Sequence, residues 1–304
     1  MKYKIVYMGT PHYAKEILDT LIKSEDMEVS LVLTQPDRPV GRKKVLTAPP
    51  VKSLALEHHI EVLQPNRLND EGIFEAIEAD KPDFIIVAAF GQILPKNILD
   101  IAPCINLHAS LLPQYRGASP VQQSLLNGDA KSGVTSMMME EGLDTGDMLE
   151  MIEFEIPAKM RLHALMQQLT EYASLLTLST IRNFEDIKPV KQDESQATLC
   201  KKIKKADGEV DFEDASLVYN KYRAFEGWPG IFSANGTKID TVTLVDTTSK
   251  NKCFEILSFE DDAVFVGCSK GALRIGTLQP ASKKGMSAKA YCMGRGLKVG
   301  DSIL

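Results

Sequence analysis

Cysteine is sparse in this chain of 304 residues, and none of it is paired: Cys104, Cys200, Cys253, Cys268 and Cys292 show no CxxC spacing. That pattern argues against a thiolate zinc site and fits reduced thiols inside a cell. The five histidines make no HExxH pair, so no metal is expected. Apolar runs of about eighteen residues or more, the length a membrane helix needs, do not occur. The opening residues read as a strand with no cleavage site behind them, so a cytoplasmic protein with no membrane partner is expected. A GxGxxG loop is also missing: the first strand runs into Gly9-Thr10-Pro11, which poorly supports a nicotinamide enzyme.

What the chain does have is an uneven charge. The net charge is −6, which at first speaks against a nucleic-acid partner. Residues 1–200 carry 19 Lys and Arg against 28 Asp and Glu, a balance of −9, whereas residues 201–304 carry 16 against 13, a balance of +3. An acidic catalytic portion with a basic appendage suited to phosphate would give this split. A lysine-rich solvated surface would give it equally well.

Hydrophobic periodicity alternates between strand and helix along the first half. Strands are expected near 3–8, 28–34, 60–63, 84–89 and 104–108, with amphipathic helices between them near 12–24, 49–59, 70–80 and 95–100. This is the pattern of an α/β, doubly wound, mostly parallel sheet. Two prolines and a glycine exclude regular structure from 35–47, and Arg38, Arg42, Lys43 and Lys44 against Asp37 leave that loop locally +3. The apolar period is lost between 184 and 206, which marks a linker; 1–183 and 207–304 are the expected domains. Past the linker, VTLVD, CFEIL, AVFVG and ALRIG recur with turn residues between them, as in a small antiparallel barrel. From Lys283 to Lys298 the chain has five cations and no acid.

The densest chemistry lies between Ile105 and Asp147, in INLHASLLPQYRGASP and GVTSMMMEEGLDTGDM. Asn106 and His108 are two apart at a strand end, so alternation sends both side chains to one side of the sheet. Asp144 follows in a turn flanked by Gly142 and Gly146, where a carboxylate can be aimed without helical constraint. Attack of an amine on a carbonyl carbon requires a donor for the oxyanion and an acceptor for the amine proton. Asn106, His108 and Asp144 supply both and are the candidate catalytic residues. A polar strand edge with no chemistry is the alternative reading of the Asn-x-His pair alone.

HASLLPQYRGASP followed by GLDTGD resembles the signature of the folate-dependent formyltransferases. YMGTPHYA, TQPDRPVGRKK with APPVK, AAFGQILP, WPGIFS and LQPASKKGMSA extend the resemblance over nearly the whole chain, to the methionyl-tRNA formyltransferase branch. It implies a Rossmann-like formyltransferase domain followed by an OB-like barrel that binds tRNA. The cosubstrate implied is 10-formyltetrahydrofolate, not permanently bound, which Ser110, Leu111, Leu112, Pro113, Phe90 and Gly91 would contact. Initiator Met-tRNA is the implied partner, met by Arg38, Arg42, Lys43, Lys44, Lys204, Lys205, Lys283 and Lys284, and a monomer is expected. Where the family usually carries Asp-Phe this chain has His12-Tyr13, and both are read as structural. Arg116 is open between holding its turn and meeting an anionic group. Two other activities fit parts of the pattern: formyl transfer to an amino sugar nucleotide, and RNA binding without catalysis.

Overall fold

Alternation within the first strand sets the layers of the sheet. In β1 (Tyr3–Gly9), Ile5, Val6, Tyr7 and Met8 are all fully buried, which requires cover on both faces. The computed structural model, which describes residues 2–41 and 43–304, supplies that cover with helices. Arg42, one of the expected phosphate contacts, lies outside the described residues. Tyr7 faces α1 (His12–Lys23), donating its hydroxyl to the Ala14 carbonyl at 2.6 Å. Val6 and Met8 look the other way, into a cluster with Leu31 and Leu33 of β2 (Met27–Leu33).

The elements continue as β3 (Arg38–Val40), β4 (Val45–Thr47), α2 (Pro50–Glu57), β5 (Glu61–Leu63), α3 (Ile73–Asp80), β6 (Phe84–Ala88), α4 (Lys96–Leu99) and β7 (Cys104–His108). Ile77 of α3 and Ile98 of α4 close the cluster over Val6 and Met8, joined by Ile85, Val87 and Phe90. Each such side chain contributes roughly 1.5–3 kcal/mol when fully buried. Then come β8 (Arg116–Gly117), α5 (Pro120–Asn127), β9 (Lys131–Met138), β10 (Met148–Glu155), α6 (Leu162–Arg182) and β11 (Leu199–Cys200). The seven-stranded sheet has the order β10-β9-β7-β6-β1-β2-β5. Its five strands from β7 to β5 are parallel, and β9 and β10 are added antiparallel. Strand order reverses between β1 and β6, so a crevice opens outside their carboxyl ends, where Gly9 and Ala88 stand side by side.

Within the segment read as irregular, 35–47, residues 38–40 and 45–47 pair as a short antiparallel ribbon instead. β3 pairs with β4 through Arg38↔Thr47, Pro39↔Leu46 and Val40↔Val45. A ribbon of two strands has two open edges, so the missing N–H of Pro39 can face outward at no cost in pairing. Gly41 (φ 70°) and Lys44 (φ 48°) take the left-handed conformations of the turn, closed by Lys44 N–H on the Gly41 carbonyl at 3.1 Å.

The chain divides into two compact units: Met1–Pro120, Lys131–Glu155 and Leu165–Cys200 form one, and Val121–Ala130, Ile156–Ala164 and Lys201–Leu304 the other. In the second, α7 (Ala215–Ala224) is capped by the Asp214 carboxylate, which accepts the Ser216 N–H at 2.8 Å. Its strands are β12 (Ile231–Phe232), β13 (Lys238–Ile239), β14 (Val242–Asp246), β15 (Ile256–Glu260), β16 (Ala263–Gly267), β17 (Ala272–Ile275), β18 (Thr277–Gln279) and β19 (Met286–Ser287), and α8 (Ala288–Met293) follows. Among the described residues they pair as two four-stranded sheets, β12-β13-β18-β19 and β14-β17-β16-β15. The expected small antiparallel domain is therefore present. No helix of the described residues is long and apolar enough to cross a membrane.

One glycine tests the packing beneath the site. Gly133 of β9 faces Glu153 of β10, and a Cβ there would overlap the Ile152 carbonyl oxygen and the Leu111 side chain. Gly133→Ala should cost on the order of 1–3 kcal/mol, read as a lower urea midpoint at unchanged slope. An unchanged midpoint would contradict the packing described.

Candidate active site

β7 outruns its parallel neighbour. Its pairing with β6 reaches only as far as Asn106, opposite Val87, while β9 accompanies it on the other side through Leu107↔Ser136 and His108↔Thr135. The end of β7 therefore projects at the carboxyl edge of the sheet. Beyond β6, the Leu107 carbonyl accepts the Tyr13 hydroxyl at 3.1 Å. Burial raises the Tyr13 phenol well above its ordinary pKa, so it remains a donor. Tyr13 thus has the structural role expected of it, bracing the peptide between Asn106 and His108.

Asn106 and His108 meet Asp144. The carboxylate Oδ2 of Asp144 accepts the Gly117 N–H at 2.8 Å, and its backbone is held at φ 53°, a left-handed conformation that Asp tolerates better than most residues. Asn106 Nδ2 lies 3.4 Å from Asp144 Oδ1, and His108 Nδ1 lies 3.7 Å from Oδ2. Formed N–H···O bonds are shorter, roughly 2.7–3.2 Å. Only the Gly117 bond is tight, so the amide and the imidazole stay available to a third group. Asn106 is 9% and His108 6% exposed, so both are buried save for a small accessible area.

The imidazole is oriented from behind. His108 Nε2 stands 3.0 Å from the Tyr115 carbonyl oxygen. A carbonyl only accepts, so Nε2 must carry a proton and, in the neutral ring, Nδ1 presents its lone pair toward Asp144. Tyr115 itself takes a positive φ of 62°, and its N–H donates to Thr198 Oγ1 at 2.8 Å.

The Ser110–Pro113 loop is specified by backbone bonds. Thr135 Oγ1 donates to the Ser110 carbonyl at 2.8 Å and accepts the Leu112 N–H at 3.2 Å, while Ser110 Oγ donates to the Gln114 carbonyl at 2.6 Å. Ser110 and Leu112 are buried; Leu111 and Pro113, after a cis Leu112–Pro113 bond, are half-buried. The Phe90 side chain belongs to the core, and what it offers near the crevice is a carbonyl that accepts Thr10 Oγ1 at 3.3 Å and Gln35 Nε2 at 3.2 Å. Gly91 is exposed, at φ 84°.

The predicted phosphate contacts fall in both units. In the first, Arg38, Lys43 and Lys44 are exposed on the β3–β4 ribbon beside Val40, Val45 and Leu46, each more than half exposed. Its base is fastened by Asp37, whose carboxylate is held below its ordinary pKa by hydrogen bonds from Gln64 and then Lys52. In the second, Lys204 and Lys205 are exposed at a 3-10 turn and Lys283 and Lys284 between β18 and β19. Among the described residues no group of three His, Cys, Asp or Glu side chains could hold a metal.

Three groups around the site were invisible to motif reading: the Gly117 amide, the Tyr115 carbonyl and Gln192. Two are backbone groups, which leave no signal in residue identity. Arg116, 4% exposed, holds its turn: its guanidinium forks onto Glu194 at 2.7 and 3.0 Å and its Nε donates to Gln192 Oε1 at 3.0 Å.

The family described as formyl transferase matches residues 1–181, and that described as formyl transferase, C-terminal domain, matches 202–296. The methionyl-tRNA formyltransferase of Sulfurovum sp. is 75% identical over 304 residues, covering 100% of both chains. That of Nitratiruptor sp. is 50% identical over 302 residues, 99% of each. Among solved structures, an N-formyltransferase from Helicobacter canadensis in complex with folinic acid and dTDP-3-aminofucose superposes with a TM-score of 0.68 at 20% identity, over 92% of this chain and 100% of that one. HypX from Aquifex aeolicus with tetrahydrofolic acid gives 0.61 at 21% identity, over 98% and 49%. These two share the fold. From the matched domains and the full-length relatives, the chain belongs to the formyltransferase family, alongside the methionyl-tRNA formyltransferases.

Proposed function

We propose that this protein transfers the formyl group of 10-formyltetrahydrofolate to the α-amino group of methionine esterified to initiator tRNA, in the cytoplasm. The observation that carries the reading is the approach of Asn106, His108 and Asp144 to one another at the carboxyl edge of the sheet. Full-length similarity to proteins named methionyl-tRNA formyltransferase supports the choice of acceptor. The folate ligands of the two more distant structures support the choice of donor.

The chemistry follows from which atoms are free. An α-amino group has a pKa of about 7.7–8.0, so a useful fraction is neutral near pH 7 and can attack the formyl carbon. Negative charge then develops on the formyl oxygen, and the Asn106 amide, not spent on a short bond, donates to it. His108 Nδ1 takes the proton the amine loses, and the Asp144 carboxylate favours the imidazolium so formed. The same N–H then protonates the nitrogen of the departing folate as the old C–N bond breaks. Nothing is oxidised or reduced. Leu111, Pro113, Gly91 and the backbone around Ser110 suit a flat ring held by apolar contact and backbone bonds, the role proposed for them toward the folate. The exposed cations Arg38, Lys43, Lys44, Lys204, Lys205, Lys283 and Lys284, with Arg42, are proposed to meet tRNA phosphates.

Asn106→Ala should lower kcat on the order of 10²- to 10³-fold, the usual cost of an oxyanion donor, with folate affinity retained. Lost folate binding with an unchanged single-turnover rate would refute the assignment. Charged initiator tRNA should be formylated where uncharged tRNA and an amino sugar nucleotide are not; transfer to the sugar alone would replace the proposed acceptor. Replacing Arg42, Lys43 and Lys44 together by alanine should raise KM for the tRNA, leave folate affinity alone and flatten the salt dependence of tRNA binding. An unaltered salt slope would remove these residues from the phosphate contacts.

A further inference from the structure

We infer that Gln192 is a positioning residue for formyl transfer, fixing the turn that carries Asp144. The inference rests on the part given above to Asp144. Gln192 lies far from the motif in sequence, is 4% exposed, and spends its amide on protein partners. Its amide donates to the Asp144 carbonyl at 2.9 Å and to the Gly146 carbonyl at 2.7 Å, one hydrogen to each end of the turn. Its Oε1 accepts Arg116 Nε–H at 3.0 Å. Two carbonyls face the nitrogen and a guanidinium donor faces the oxygen, so only one orientation of the amide satisfies all three.

These bonds close a ring through the site. Gly117 N–H holds the Asp144 carboxylate; Gln192 holds the Asp144 carbonyl; Arg116, the residue before Gly117, holds Gln192. Both sides of the Asp144 turn are thereby referred to the same short stretch of chain. The left-handed Asp144 costs less than it would for most residues, and the bonds of this ring help to hold it there.

The ring is anchored outside as well. Arg116 N–H donates to the Thr198 carbonyl at 2.9 Å and Ala118 N–H to the Cys200 carbonyl at 3.2 Å, pairing β8 with β11. Glu194 takes the free edge of the guanidinium, and that bond holds its carboxyl below the usual pKa. Asp193 fastens the intervening turn by accepting the Ser195 N–H at 2.9 Å. Gln192 is therefore presented by a strap tied to residues 113–119 through Thr198 and Cys200 and, through paired bonds of Val190 with Met148, to the strand that begins just past the Asp144 turn, so its amide is held in place against that turn.

The test compares Gln192→Glu and Gln192→Ala in the full-length protein. Glu keeps the volume and the Arg116 partner but removes both amide hydrogens. Single-turnover formyl transfer at saturating donor and acceptor should fall about 10- to 100-fold in both variants, with KM for tRNA and for folate little changed. The Gly117 amide proton resonance should move upfield in both as its bond to Asp144 loosens. A merely structural role would lower Tm and raise both KM values together, leaving the rate at saturation. If Gln192→Ala does not fold, Gln192→Glu decides; if that chain also fails to fold, the role is structural and the inference is overturned. Wild-type rate in Gln192→Glu overturns it too. Asp144→Asn, run in parallel, separates the two levels: if it transfers normally, the part given to Asp144 is wrong, whereas a slow Asp144→Asn beside a normal Gln192→Glu removes only Gln192.

Discussion

The site depends on one short bond, from the Gly117 amide to the Asp144 carboxylate at 2.8 Å. A carboxylate that must sit near an imidazole and an amide without being consumed by either needs a fixed donor of its own. A backbone amide serves this purpose well, because it cannot rotate away and carries no charge to compete with the chemistry. With one oxygen so held, Asn106 and His108 stand at 3.4 and 3.7 Å, within reach yet not closed. Had His108 made the tight bond instead, the lone pair of its Nδ1 would be unavailable to a reacting group, and a tight Asn106 bond would fix one of its two amide hydrogens.

The rest of the first unit keeps that arrangement still. Parallel strands buried on both faces make a rigid floor, and β7 rises past the end of β6 so that its last residues stand above it. The Tyr13 hydroxyl braces Leu107 from α1, and the Tyr115 carbonyl orients His108 from the following loop. Thr135, from the adjacent antiparallel strand, stitches Ser110 and Leu112 at once. Each brace comes from a different element, so the site is specified by the tertiary fold more than by any one segment. The cationic ribbon β3–β4 contrasts with it: both of its strands are exposed, and its base is fastened by Asp37, Gln64 and Lys52.

Much of this was legible in the residues. The run from Phe84 to Ala89 reads as a strand covered on both faces; the buried strand covers Phe84–Ala88, and Ala89, exposed at φ 46°, leaves it. Two-residue spacing brings Asn106 and His108 to one side, and glycines on both flanks of Asp144 mark a turn free to aim a carboxylate. The ribbon at 38–47 was not legible, because proline and glycine signal a break in any long element but say nothing against three residues pairing with three at two open edges. Gln192 was hidden for a different reason. A lone glutamine in a polar stretch looks like solvated chain, and only the folded backbone reveals two carbonyls waiting for its amide. Likewise Gly117 and Tyr115 act through peptide groups that every residue possesses.

The proposed transfer turns on the protonation of His108. With Nε2 donating to the Tyr115 carbonyl, the neutral ring must leave Nδ1 bare, facing Asp144 and the space where the amine would stand. Long-range proton–nitrogen correlation spectra of the ¹⁵N-histidine-labelled protein, recorded above the imidazole pKa, report directly which ring nitrogen is protonated. The account predicts the Nε2–H tautomer for His108, with Nδ1 at the shift of an unprotonated nitrogen; an Nδ1–H tautomer would mean that the proton acceptor proposed here faces the wrong way.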